Sequence, residues 1–201
     1  MKRILCAALA CAMLVGCAEK GKESPAEEIQ AKVYRPTGQP KLTIFTMINN
    51  RSGAGAHTSL LVEGSQAVLF DPAGSFNHPD VPERADVLYG MSPRWVQAYK
   101  SAHARSDFHV VSQEIPVTAA QAERALQLVQ SNGTVPSAYC AQATTSILKK
   151  VQGFEGIRTG FYPLKLMEQI EARPGVRTTN YFENDSGNVV DGVQGLIEKK
   201  Q

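Results

Sequence analysis

Three short β-rich apolar runs, each closed by turn formers, constrain this chain more than any other feature. They are "LTIFTMI" from Leu42 to Ile48, "HTSLLV" from His57 to Val62 and "QAVLF" from Gln66 to Phe70. Gly64-Ser65 is a turn signal between the second and third, which makes them a β-hairpin. The stretch "NNRSGAGA" at 49–56 is a loop rich in turn residues. Helical signals then take over. Ser92 and Pro93 supply the cap and first position of a helix running to about Ala104. Thr118-Ala119-Ala120-Gln121 is a capping box, and Ala122, Ala125, Leu126 and Val129 share one face of the helix it opens. That helix is expected to stop at Asn132-Gly133. Further helices are expected from about Ala138 to Val151 and from Pro163 to just before Pro174. Phe108–Ile115 and Val176–Phe182 read as further strands, and residues 72–91, with Pro72, Pro79 and Pro82, as irregular. The expected fold class is α+β: an antiparallel sheet with packed helices.

The N-terminus carries a different message. Lys2 and Arg3 precede an apolar run from Ile4 to Val15, the pattern of a secretory signal. The run is too short for a membrane-spanning helix, which needs about 20 residues. Leu14-Val15-Gly16-Cys17 resembles the lipobox of bacterial lipoproteins. That resemblance implies cleavage before Cys17, diacylglycerol on its thiol and attachment to a membrane by acyl chains. The plainer reading is an ordinary signal peptide with a chance cysteine. Ala18 follows the cysteine where inner-membrane retention in enteric bacteria uses Asp. The resemblance therefore implies the outer membrane, facing the periplasm. The expected organisation is a signal peptide at 1–16, a lipidated N-terminus and flexible polar tether at 17–40, one domain at 41–183 and a polar surface tail at 184–201.

Cleavage removes Lys2 and Arg3 and no acid, so the formal charge falls from +2 to zero. A neutral chain without a basic stripe does not fit nucleic-acid binding. Of the four cysteines, Cys6 and Cys11 leave with the signal and Cys17 is acylated. Cys140 is then the one thiol of the mature body, which excludes an intramolecular disulfide. A lone cysteine in an oxidising compartment is either buried and inert or kept for its chemistry.

Cys140 stands in "PSAYCAQATTSILKK", with Ser137 as an N-cap candidate that would put Cys140 at the third helical position. The dipole and free N–H groups of a first turn favour a thiolate and could hold an oxyanion. His57 begins one strand and Asp71 ends the next, so the two can meet at one edge of a hairpin. A thiol, an imidazole base and an orienting carboxylate are the parts of a nucleophilic triad. Each also has a plainer reading: a small core residue, a turn histidine, and Asp-Pro turn chemistry. His78-Pro79-Asp80, His103 and His109 lack metal-ligand spacing and read as loop or surface residues. Trp95 and Tyr99, four apart on one helix, read as packing residues. "GAGAHTS" lacks the Gly-Lys-Ser/Thr of a phosphate loop, and no Gly-x-Ser-x-Gly elbow occurs. No cofactor or metal is expected.

The stretches "GAGAHTSLLV", "QAVLFDPAGSF" and "PSAYCAQATTSILKK" together resemble the circularly permuted papain-like hydrolases related to NlpC/P60. In the unpermuted fold the Cys helix precedes the His strand; here the strands come first. The resemblance covers under a third of the chain. It implies Cys140 as nucleophile, His57 as general base and Asp71 as orienting residue. The side-chain oxyanion donor is left open between Asn132, Ser137 and Tyr139. The implied function is a membrane-anchored cysteine hydrolase or acyl transferase acting on amide or ester bonds, with peptidoglycan peptides the leading substrate for an envelope protein. The other reading is a non-catalytic envelope or phage-borne lipoprotein that keeps the fold for binding.

Overall fold

The computed structural model describes residues 23–198. The signal-peptide and Cys17 expectations lie outside the described residues. The first described element is helix α1 (Ala26–Lys32), followed by strands β1 (Lys41–Asn49), β2 (Gly55–Glu63) and β3 (Ala67–Phe70) on the three apolar runs. Two short strands come next, β4 (Glu83–Arg84) and β5 (Val87–Tyr89), then helix α2 (Pro93–His103) and strand β6 (Phe108–Pro116). Helices α3 (Ala119–Gln130), α4 (Cys140–Leu148) and α5 (Pro163–Glu171), strand β7 (Arg177–Tyr181) and helix α6 (Val189–Glu198) complete the order. The architecture is mixed α+β. The seven strands form one sheet in the order β4-β5-β3-β2-β1-β6-β7, and every pairing is antiparallel.

Helices cover both faces of this sheet, which is why β1 reads as a continuous apolar run rather than an alternation. Leu42, Ile44, Leu60, Val62, Val68 and Phe70 face a core filled by α3, α4 and α5, with Ile29 of α1. Phe45, Met47, Leu61 and Leu69 point the other way, onto Tyr99 and Ala102 of α2 and Val193 of α6. The Thr118 capping box forms as expected, and Ala122, Ala125, Leu126 and Val129 are all buried. No helix among the described residues is long and apolar enough to cross a membrane.

Four local expectations are corrected. Residues 72–91 are not wholly irregular: β4 and β5 extend the sheet beside β3. Two- and three-residue strands show no periodicity, and their turn is made by Ala85 and Asp86 at positive φ (49° and 62°), which no Gly-Asn pattern announces. The tether expected at 17–40 contains α1, seated by buried Ile29 and by Arg84 donating to the Ser24 carbonyl. The tail expected at 184–201 contains α6, packed on α2. Helix α4 starts at Cys140, not Ala138, because Ala138 has φ 69° and cannot join a right-handed helix. Ser137 is therefore not the N-cap. Tyr139 holds that position without a side-chain cap bond.

Candidate active site

His57 lies on β2, and Asp71 is the first residue after β3, the antiparallel neighbour of β2, with Leu60 opposite Phe70 as their last pair. Continued by one pair, that register sets Ser59 beside Asp71, so His57 is the diagonal neighbour of Asp71. A diagonal separation of about 7–8 Å between Cα atoms is within reach of an imidazole and a carboxylate. The two side chains meet: His57 Nε2 lies 2.7 Å from Asp71 Oδ1. His57 pairs with Met47, and Met47 belongs to the α2-side core, so His57 hangs on the α2 face of the sheet. Cys140 arrives from the opposite layer, at the first position of α4, which packs on β2. Its thiol lies near enough to the His57 ring, and to the backbone N–H groups of Thr58 and Ala141, for each to favour its ionised form. Since Nε2 donates to Asp71, the nitrogen left for the thiol is Nδ1.

The charges follow from this geometry. Burial alone would lower the His57 pKa, but the Asp71 bond and charge, followed by Cys140, outweigh it and push it up to about 10. Burial would raise the Cys140 pKa; contact with His57, then the two N–H groups, brings it below the usual thiol value instead. Asp71 behaves likewise: burial opposes ionisation, His57 overcomes it, and the carboxyl sits below its usual range. The arrangement favours a thiolate beside an imidazolium that is held by a carboxylate.

Asp71 is fixed by more than His57. Tyr99 of α2, fully buried, donates from its hydroxyl to Asp71 Oδ1 at 2.6 Å, and its oxygen lies 2.9 Å from Ser59 Oγ. The sequence assigned Tyr99 to packing; it packs and also carries a hydrogen bond of the site. Gly74 lies against the other carboxylate oxygen, where any Cβ would run into it. His103, read as a loop or surface histidine, is buried and lies parallel to His57, with ring centroids 6.1 Å apart and planes at 9°. Its Nδ1 bonds the Tyr99 carbonyl at 2.8 Å, and burial, stronger than the pull of Asp71, lowers its pKa to about 4. It is therefore a neutral wall. His78 is also buried, against Trp95 at 4.6 Å, while His109 is half-buried and stacks on Phe182.

Asp86 was not found from sequence at all. It is buried, and its Oδ2 accepts N–H bonds from Ala73 (3.1 Å) and Val135 (2.8 Å), while its carbonyl accepts from Asp71 at 2.8 Å. It thus fastens the loop after Asp71 to the loop that leads into α4. Of the side-chain oxyanion candidates, Asn132 turns back to the Gly133 carbonyl, and Tyr139 is 42% exposed with its ring against Phe161. Neither Asn132 nor Tyr139 is drawn into the site by these contacts. The donors beside the sulfur are backbone groups: the N–H of Thr58 on β2 and that of Ala141 in the first turn of α4. Among the described residues no group of three His, Cys, Asp or Glu side chains converges as a metal cluster. Comparisons of the chain with protein-family models, with curated proteins and with solved structures find no match.

Proposed function

We propose that this chain is a cysteine-dependent hydrolase or acyl transferase, tethered to the cell envelope through Cys17. Cys140 is the nucleophile, His57 its proton partner and Asp71 the group that orients His57. The observation that carries this reading is the 2.7 Å bond between His57 Nε2 and Asp71 Oδ1, with buried Cys140 at the first position of the helix packed on the His57 strand. The thiolate attacks an amide, ester or thioester carbonyl. The developing oxyanion is met by N–H groups of the α4 first turn. His57 gives its proton to the leaving group, and a thioester on Cys140 remains for water or an acceptor amine to resolve. A His strand and an Asp strand end placed before a Cys helix support a circularly permuted papain-like arrangement. An envelope location makes peptidoglycan peptides the leading substrate class.

The test is iodoacetamide labelling of the purified protein near pH 7, alongside cell-wall turnover in the producing bacterium. Labelling that is prompt in the wild type and lost in Cys140→Ala is the expected result. Equal labelling before and after the substitution, or unaffected turnover, would overturn the proposal. One observation favours a second reading, a non-catalytic binding lipoprotein: Cys140 is only 6% exposed. On that reading Cys140 resists alkylation until the protein is unfolded.

A further inference from the structure

A cavity of about 250 Å³ adjoins His57. Its walls come from β1, β2, the loop after Asp71, α2, β6 and α6, and not from α4 or α5, which carry the Cys140 side of the site. We propose that this cavity is the subsite for the leaving group, and that it takes a single uncharged, apolar residue attached through its amine to the scissile carbonyl. The inference rests on the catalytic reading above and extends it to substrate selection.

Three observations carry it. The first is where the proton must go. In an acyl transfer the acyl part becomes bonded to sulfur, and the departing nitrogen takes its proton from the imidazolium. The departing group therefore lies on the His57 side, and this cavity is on that side. The second is wall chemistry. Met47, Phe108 and Val189 are apolar, Ala56 and Ala73 are small, and no Lys, Arg, Asp or Glu lines the space. Its second histidine, His103, is held neutral by burial. The one charged group on its wall, the His57 imidazolium, is already paired with Asp71 at 2.7 Å, so an ionised side chain entering the space would lose water and find no unpaired partner. The third is size: the volume lies below the roughly 300–1,000 Å³ of sites for drug-sized ligands, so it holds one residue rather than several.

Aminolysis runs the same contacts in reverse and gives the test. p-Nitrophenyl acetate acetylates Cys140: a C–S bond forms, the ester C–O bond breaks and p-nitrophenolate leaves. An added amine then attacks the thioester. The C–N bond forms, the C–S bond breaks, His57 takes the amine proton and the thiolate returns. Equal concentrations of L-alaninamide, glycinamide and isoglutamine, which bears a carboxylate, compete with water, and the acetylated products are quantified by chromatography. L-Alaninamide should capture about tenfold more acetyl groups than either competitor, the discrimination an apolar pocket gives for one methyl group. Val189→Trp, which fills the cavity, should bring the three amines to parity. Val189→Ala should raise capture of the larger L-leucinamide. Val190→Trp, on a residue 62% exposed beside it, should keep the wild-type preference. Each ratio is read on the variant's own acyl-enzyme, so misfolded protein does not contribute. Cys140-dependent p-nitrophenolate release with equal capture of all amines would overturn the subsite and leave the catalytic reading standing. Absence of Cys140-dependent release would overturn both.

Discussion

Cys140 illustrates how neighbours decide the chemistry of a residue. Burial works against its thiolate, and the His57 contact and two backbone N–H groups reverse the sign. We expect the alkylation rate of Cys140 to reach half its maximum below pH 9, the ordinary thiol value. In His57→Ala and Asp71→Asn the midpoint should move back up, and the rate at pH 7 should fall by about 10²-fold or more. A pH series of iodoacetamide labelling measures both. Gly74 is a second case. A methyl group there collides with the Asp71 carboxylate, so Gly74→Ala should turn the carboxylate off His57. The expected result is loss of most Cys140 reactivity at pH 7 and destabilisation of about 1–3 kcal/mol, the usual cost of overpacking. Urea unfolding beside the labelling assay would separate these effects.

At the scale of elements, the site is held by segments that look like connectors. Asp86 sits in the tight turn between β4 and β5 and binds the Asp71 loop to the segment before α4 through Ala73 and Val135. Asp86→Ala leaves both N–H groups without their acceptor, at a cost of about 1–3 kcal/mol each where buried. Asp86→Asn keeps one oxygen able to accept, so it should retain most of the stability and Cys140 reactivity that Asp86→Ala loses. Helix α6 docks just as closely. A Cβ on Gly192 would lie 2.8 Å from Ala102 Cα of α2. Gly192→Leu should therefore lift α6 away and widen the cavity wall that Val189 provides. Faster hydrogen exchange confined to α6 and α2, with the sheet unchanged, would show it.

For the whole molecule, His103 sets an acid limit. Folded, it takes a proton only near pH 4, whereas the unfolded chain takes one near 6.5. The unfolded state binds more protons between those values, so stability contributed by neutral His103 is present above 6.5 and lost as pH falls toward 4. The full span corresponds to about 3 kcal/mol. Urea midpoints should fall between pH 6.5 and 4.5 in the wild type and much less in His103→Phe, which keeps the ring stack. Asp71, with its pKa below 3.8, contributes its own loss only at still lower pH. The anchor has a geometric consequence as well. Ser24 is already bonded to Glu83 and Arg84 at the β4 edge. If Cys17 carries lipid, the six residue steps to Glu23 span at most about 20 Å, and the β4 edge is held near the bilayer. Cys17→Ser should release the protein from membranes in cell fractionation while leaving Cys140 labelling intact.

Five strands and four helices of the described residues were legible in the sequence, because they carry local signatures: apolar runs, caps and turn residues at strand ends; Cys140, His57 and Asp71 stood out only as candidates, and β4, β5, α1 and α6 carry no such signature. The sequence could not reveal Tyr99, His103 or Asp86 as members of the site. Tyr99 and His103 lie on a helix that reads as ordinary packing, and Asp86 in a stretch that reads as irregular. Their roles depend on α2 lying across one face of the sheet while α4 lies across the other. The first 22 residues, where Cys17 stands, are read from sequence alone. For the body of the chain the tertiary structure decided what Cys140 is: a thiol reached across the end of a sheet by a histidine from the opposite layer, a meeting no local pattern encodes.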